Sequence, residues 1–170
     1  MHAMNIDLSR FALLPGGGLR IDTELRPPPV QLGGALYIAA AASSVRLDVS
    51  RTTSGWAIRL RFDVTIDGPC MRCLEQARLE LAVDAREIQA TGATDEDLKG
   101  PYIQDDVLDL EAWARDALAL AMPAKYLCRP DCAGLCPVCG ESLNDAEAEV
   151  HRHDPEPDPR WQRLRDLKLE

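Results

Sequence analysis

The segment from Cys128 to Gly140 constrains the fold of this chain most strongly, because four of its residues are cysteines. They stand at positions 128, 132, 136 and 139. In the closing run Cys-Pro-Val-Cys-Gly, proline fixes one backbone angle and glycine permits a positive one, so that two sulfur atoms and several N–H groups converge. This pattern is typical of a zinc knuckle, which supplies two of the four ligands of a tetrahedral Zn²⁺. The alternative is four unconnected core cysteines.

The other candidate ligands lie elsewhere in the chain. Cys70 and Cys73 form a second Cys-x-x-Cys, and His151 and His153 follow the main cluster. Six cysteines and these two histidines make eight ligands, enough for two tetrahedral zinc sites. Iron, an iron–sulfur cluster and other pairings also fit thiolate ligands. Cys70 and Cys73 are also compatible with loop residues that have no ligand role.

Composition limits the cellular setting. The chain has 170 residues, of which 46% are hydrophobic, and it has no apolar run of about 18 residues that could span a membrane. Because the N-terminus lacks the pattern of a signal peptide, we expect a cytoplasmic protein. In a reducing cytosol, paired cysteines indicate metal ligands rather than disulfides.

Acidic residues dominate one part of the chain. The formal net charge is −9, and residues 91–158 alone hold sixteen acidic against five basic residues, which gives −11. Such a surface repels a phosphate backbone and favours a basic protein as partner. The segment Thr91–Asp106 is acidic and aperiodic, and is interpreted as an exposed loop.

Alternation of apolar and polar residues predicts β-strands. Val45, Leu47 and Val49 alternate with polar residues, and after a turn at Gly55 the pattern continues through Trp56, Ile58, Leu60, Phe62 and Val64. A third run, from Leu79 to Ala85, follows the turn that holds Cys70 and Cys73. This rhythm predicts antiparallel strands with one buried face, the last two joined by the Cys-x-x-Cys turn.

Arginines occupy the polar positions of the predicted hairpin. Arg46, Arg59 and Arg61 would form a small basic strip for nucleic acid, diluted by Asp48, Asp63 and Asp67. The alternative is an ordinary solvated face.

One helix is predicted from about Leu110 to Met122. Asp109 would cap it and Pro123 would stop it. A short C-terminal helix is predicted after Asp158 and Pro159, with Trp161, Leu164 and Leu167 on one face. The fold class expected is therefore α+β: an antiparallel sheet with one packed helix, a cysteine-rich zinc-binding lobe and a short C-terminal helix. The domain boundaries expected are 1-126, 127-154 and 155-170.

The order of these motifs resembles the YceD family, which has no established biochemical activity. The resemblance rests on Cys-x-x-Cys-Leu after a hairpin, a helix ending in Ala-Leu-Ala-Met-Pro, the segment from Leu127 to Asn144 and a closing Asp-Pro-Arg-Trp. It covers most of the chain and is weakest over the first forty residues. The resemblance implies a role in accumulation of the large-subunit ribosomal RNA and in ribosome assembly.

The resemblance also implies how the ligands are grouped. Many family members place a Cys-x-Cys where this chain has His151-Arg152-His153, and imidazole is an acceptable zinc ligand. Two free surface histidines are the alternative. Family members that lack the Cys-Pro-x-Cys pair imply that Cys70, Cys73, Cys128 and Cys132 form one site. Cys136, Cys139, His151 and His153 would then form the other.

Three functional classes fit these features. The first is a zinc-stabilised, non-enzymatic factor in large-subunit biogenesis that binds a ribosomal protein or an rRNA-containing precursor. The second is a zinc-ribbon regulatory module unrelated to the ribosome. An enzyme is the third and is disfavoured, because a catalytic zinc keeps an open position and these ligands would fill every position.

Overall fold

The computed structural model describes residues 4–90, 100–144, 151 and 153. The C-terminal helix predicted at 155-170 lies outside the described residues. So do residues 91–99 of the predicted acidic loop, which include Asp95, Glu96 and Asp97. Within the described part of the chain, a short 3₁₀ turn spans Leu8–Phe11, and the remaining elements are nine strands and one helix: β1 Asn5–Asp7, β2 Gly18–Leu25, β3 Val30–Leu32, β4 Ala35–Ala39, β5 Ser43–Arg51, β6 Gly55–Pro69, β7 Gln76–Ala90, β8 Ile103–Gln104, β9 Val107–Asp109 and α1 Leu110–Ala121.

The main sheet is antiparallel and is organised around β6. Along one edge, β6 pairs with β7 without interruption, from Gly55 opposite Ala90 to Pro69 opposite Gln76. Its other edge is shared between β5 near the start and β4 near the end. The strand β2 extends the sheet beyond β5, and β3 extends it beyond β4.

One face of this sheet is the core. Trp56, Ile58, Leu60, Phe62 and Val64 are all buried, as their alternation predicts, and they face the same core as β5. Each such side chain contributes roughly 1.5–3 kcal/mol by leaving water. Because β6 pairs with β7 without a bulge, the same alternate residues of β6 face the core along the whole strand.

The helix α1 closes this core, and its boundaries follow local chemistry. The Asp109 side chain accepts a hydrogen bond from the Ala112 N–H at 3.0 Å, which is the predicted N-cap. The helix ends at Ala121, one residue before the predicted end, because Met122 precedes Pro123 and takes an extended conformation. Trp113, Ala114 and Leu118 are buried in the same cluster as the strands. No helix among the described residues is long and apolar enough to cross a bilayer.

The N-terminal part contributes more sheet than its sequence pattern indicates. The β3–β4 hairpin turns through Gly33 and Gly34, both at positive φ, which a two-residue turn of this kind requires. The strand β1 pairs with β9, from Asn5 opposite Asp109 to Asp7 opposite Val107, in a separate three-stranded sheet with β8.

Candidate metal centres

The first Cys-x-x-Cys forms the tight connection between β6 and β7. The Cys70 N–H donates to the Glu75 carbonyl at 2.7 Å, and the Leu74 N–H donates back to the Cys70 carbonyl at 3.0 Å. Leu74 takes a positive φ of 63° to make this turn. The turn directs the sulfur atoms of Cys70 and Cys73 to one point beneath the end of the sheet.

The second Cys-x-x-Cys repeats this backbone geometry. The Cys136 N–H donates to the Glu141 carbonyl at 2.8 Å, and the Gly140 N–H donates to the Cys136 carbonyl at 2.9 Å. Gly140 has a φ of 76°, which corresponds to the conformation of Leu74 in the first turn. Two six-residue segments that share only their cysteines and the glutamate that ends them, Glu75 or Glu141, therefore fold as the same knuckle.

Tyr126 attaches the chain after α1 to the first knuckle. Its side chain is fully buried, with the hydroxyl 2.7 Å from the Ile66 carbonyl oxygen and 2.9 Å from that of Ala77. The Met71 N–H donates to the Tyr126 carbonyl at 2.9 Å. These contacts place the next residues, including Cys128, beside the knuckle.

The structure brings Cys70, Cys73, Cys128 and Cys132 together in what we call the first centre. Their four sulfur atoms lie within 4.8 Å of one another. The Sγ atoms of Cys70 and Cys132 are 3.8 Å apart, and those of Cys73 and Cys128 are 3.5 Å apart. Four thiolates at a Zn–S distance of about 2.3 Å in a tetrahedron would be separated by about 3.8 Å. All four cysteines are free rather than disulfide-bonded.

The thiols of the first centre differ in their electrostatic surroundings. Burial opposes ionisation of Cys70, but the N–H groups of Cys73, Arg72 and Cys128 outweigh it and lower the pKa of Cys70 to about 6. Burial and the neighbouring thiols raise the pKa of Cys128 to about 12. Four thiols this close cannot all ionise without a cation among them, because like charges oppose one another. This donor set fits a divalent metal ion.

Cys136, Cys139, His151 and His153 form the second centre, whose ligand atoms also lie within 4.8 Å of one another. The Cys139 Sγ is 3.8 Å from the Nδ1 of His151. The other ring nitrogen of His151 is 3.9 Å from a carboxylate oxygen of Glu141. This distance is longer than a hydrogen bond, so Glu141 is an electrostatic neighbour of the ring and not its hydrogen-bond acceptor. The N–H groups of Cys139 and Val138 lower the pKa of Cys136 to about 7.

The two centres differ in burial. Three cysteines of the first centre, Cys70, Cys73 and Cys132, belong to the hydrophobic core, whereas Cys139 and His153 of the second centre are exposed. The first centre is thus part of the fold, and the second lies at its surface.

The three predicted nucleic-acid contacts share the outer face of the sheet, but each lies beside a carboxylate. Arg46 bonds Asp22 at 3.1 Å, Arg59 bonds Asp84 at 2.8 Å, and Arg61 bonds Asp48. The outward positions of β2, β5, β6 and β7 carry seven acidic against six basic residues. This face is therefore close to neutral.

Sequence reasoning missed three residues that support the centres. Leu74 could have been found by aligning the two knuckles, because it occupies the place of Gly140. Glu141 directly follows the second knuckle, and its carboxylate near His151 had no separate signal. The role of Tyr126 depends on pairing between distant segments, and no local pattern marks it.

The fold and the two clusters define a β-rich protein with two sets of cysteine and histidine side chains able to hold metal ions. Residues 58–168 match the family model described as Large ribosomal RNA subunit accumulation protein YceD. The chain therefore belongs to the YceD family, as the motif order predicts. The family description connects this group with accumulation of the large ribosomal RNA subunit.

Mycobacterial relatives match nearly the whole chain. Uncharacterized proteins of Mycobacterium bovis and Mycobacterium tuberculosis are each 32% identical over 167 residues, which cover 95% of this chain and 79% of the relative. An uncharacterized protein of Mycobacterium leprae is 27% identical over 168 residues, which cover 95% of this chain and 76% of the relative. No solved structure matches the chain.

Proposed function

We propose that this protein is a non-enzymatic cytoplasmic factor in biogenesis of the large ribosomal subunit, required for accumulation of 23S rRNA. The membership of residues 58–168 in the YceD family carries this proposal. Its partner would be a large-subunit ribosomal protein or a precursor particle that contains rRNA. The net charge of −9 supports a basic protein as the direct contact.

Two Zn²⁺ ions would stabilise the protein. Cys70, Cys73, Cys128 and Cys132 would hold one ion, and Cys136, Cys139, His151 and His153 would hold the other. The sulfur spacing of the first centre and the convergence of two thiols and two imidazoles in the second support zinc in these donor sets. Each ion would supply cross-linking and charge neutralisation. We also propose that domain boundaries follow residues 126 and 154.

Depletion and sedimentation test the function. Cells depleted of this protein should contain less large-subunit rRNA relative to small-subunit rRNA, and the tagged protein should sediment with large-subunit precursors. Unchanged rRNA ratios together with absence from precursor fractions would overturn the proposal. Co-purification with an unrelated complex would favour the zinc-ribbon regulatory module instead, which the repeated knuckle geometry also supports.

Contact with rRNA through Arg46, Arg59 and Arg61 is the second half of the proposal. RNA phosphates would have to displace the carboxylate partners of these arginines. Exposed ion pairs contribute little net stability, so this displacement costs little. We expect replacement of all three by glutamine to weaken association with precursor particles, while Arg78→Gln, on the same face and paired with Asp67, changes it little. Normal association of the triple variant would make the protein a protein-binding factor alone.

Asp95, Glu96 and Asp97 would carry the complementary contact with the basic ribosomal protein. Their replacement by the corresponding amides should weaken binding to that isolated protein and should leave the arginine contact intact. Equal binding by the amide variant would remove the acidic segment from the proposal.

A further inference from the structure

The strand β7 has one unpaired edge. It pairs along its whole length with β6 and with no other strand among those described. In an antiparallel ladder alternate residues direct their N–H and C=O groups away from the partner strand, so a row of donors and acceptors lines this edge. The strand contains no proline, and its register has no bulge, although it carries charged side chains. Two common devices that prevent strand addition are therefore missing from it.

A groove of about 440 Å³ follows this edge. Its first wall is six consecutive residues, 82–87, whose side chains point alternately to opposite faces of the sheet. Only the edge of a strand can present both sets at once. The groove is thus open to the hydrogen-bonding edge of β7.

The helix α1 forms the opposite wall, and this wall is apolar. Trp113, Ala117, Leu120 and Ala121 line it, and Leu120 is 88% exposed. Tyr102 stacks on Trp113 with ring centroids 6.2 Å apart, and its hydroxyl donates to Asp116 at 3.1 Å. These contacts fix the aromatic wall before any partner arrives.

The charged groups beside the groove are mostly acidic. Three charged residues line it: the carboxylates of Asp84 and Glu87 and the guanidinium group of Arg86. This local excess has the same sign as the net charge of −9. A basic occupant is therefore favoured over a neutral or acidic one.

We infer that β7 and α1 form a docking groove for an extended segment of a partner protein, in which apolar and basic residues alternate. The segment adds to β7 as a further strand, with its apolar side chains against α1 and its basic side chains toward the outer face. A strand edge walled by a helix is an established geometry for strand addition. The inference rests on the proposed function only in taking a basic protein as partner.

A synthetic peptide of four Lys-Val repeats, blocked at both ends, tests the groove on the full-length, metal-loaded protein. Binding is measured by fluorescence anisotropy, and strand addition by slowed hydrogen exchange at alternate amides within residues 82–88. Methylation of alternate peptide nitrogens should weaken binding at least tenfold, because it removes the N–H donors. A peptide of Glu-Val repeats should bind at least tenfold more weakly.

Leu120→Lys should weaken binding by a similar factor, since it replaces an apolar wall residue with a charge that repels the peptide. Leu14→Lys is the matched control, because Leu14 is 78% exposed and lies outside the groove. Equal binding by the two variants, or by the methylated peptide, would overturn the inference.

Two further outcomes would also overturn it. Slow exchange at β7 that depends on protein concentration, without peptide, would show that a second copy fills the groove. Slow exchange at every concentration would show that the chain covers its own edge. Because sedimentation with ribosomal precursors is measured separately, failure of the groove and failure of the proposed function are distinguishable.

Discussion

Leu74 adopts a backbone conformation that leucine rarely takes, at φ 63°, with its side chain 67% exposed. Left-handed backbone costs a residue with a Cβ roughly 1–2 kcal/mol. The turn is nevertheless fixed by the hydrogen bonds that Cys70 makes with Leu74 and Glu75. The hydrogen bonds that close the knuckle therefore offset the strain at Leu74.

Substitutions at Leu74 should separate strain from packing. Leu74→Gly is expected to leave the free energy of unfolding within about 1 kcal/mol of the natural protein, because relief of strain offsets the greater freedom of the unfolded chain. Leu74→Val should lower it by at least about 1 kcal/mol, since β-branched residues tolerate positive φ poorly. Urea denaturation of the metal-loaded protein measures both values. A valine variant as stable as the natural protein would contradict the assigned turn.

Tyr126 is a second residue whose contribution can be isolated. Tyr126→Phe leaves the carbonyls of Ile66 and Ala77 without the buried hydroxyl, and should lower the free energy of unfolding by about 1–3 kcal/mol. Tyr102→Phe, whose half-buried hydroxyl bonds a single carboxylate, is the control and should cost less. Equal losses of unfolding free energy in the two variants would contradict a larger contribution from the buried hydroxyl of Tyr126.

The same residue gives a pH dependence. Burial raises the pKa of Tyr126 to about 12, from an ordinary value near 10. The folded state therefore holds the proton more tightly than the unfolded state, and stability should fall as the pH rises from about 10 to about 12. This fall should be smaller in Tyr126→Phe, when both proteins are unfolded by urea at a series of pH values. Identical pH profiles would contradict the raised pKa.

At the scale of elements, the two knuckles are equivalent turns in unequal settings. The first joins two fifteen-residue strands, while the second is supported by a single isolated bridge between Leu135 and Ser142. A substitution in the first knuckle should therefore disturb the fold more than the same substitution in the second.

Replacement of one cysteine should reveal the pairing of ligands. Cys70→Ser is expected to reduce the zinc content from about two ions to about one and to expose Cys128 and Cys132 to alkylation, with Cys136 and Cys139 still protected. Cys139→Ser should give the reverse pattern and disturb the fold less, because Cys139 is exposed. Elemental analysis and mass spectrometry of alkylated peptides measure both. Loss of both ions, or of neither, from Cys70→Ser would contradict the pairing.

The sequence was most informative where structure is local. The alternation from Trp56 to Val64 predicted its strand, and Asp109 and Pro123 predicted the helix ends to within one residue. The grouping of cysteines came from a family pattern, because spacing alone cannot relate Cys70 to Cys132. Pairing of Asn5 with Asp109 and of Arg46 with Asp22 was not predictable, since each depends on how distant segments fold together.

For the whole molecule, unequal burial of the centres predicts an order of metal release. A chelator such as EDTA should remove one ion rapidly from the second centre, where Cys139 and His153 are exposed, and the other slowly from the core. After the fast phase, the far-ultraviolet circular dichroism should remain that of a β-rich protein. Release of both ions in one phase, with loss of the sheet, would contradict the separation of the centres.

The span of the first centre has a consequence for synthesis of the protein. Cys70 and Cys132 are 62 positions apart, yet their sulfur atoms face one another beneath the sheet. A chain that emerges from the ribosome at about 5–20 residues per second exposes its first two thiols several seconds before their partners. During that interval Cys70 and Cys73 can be oxidised or captured by other metals. Binding of a metal ion by all four thiols would therefore be possible only in chains whose synthesis has passed Cys132.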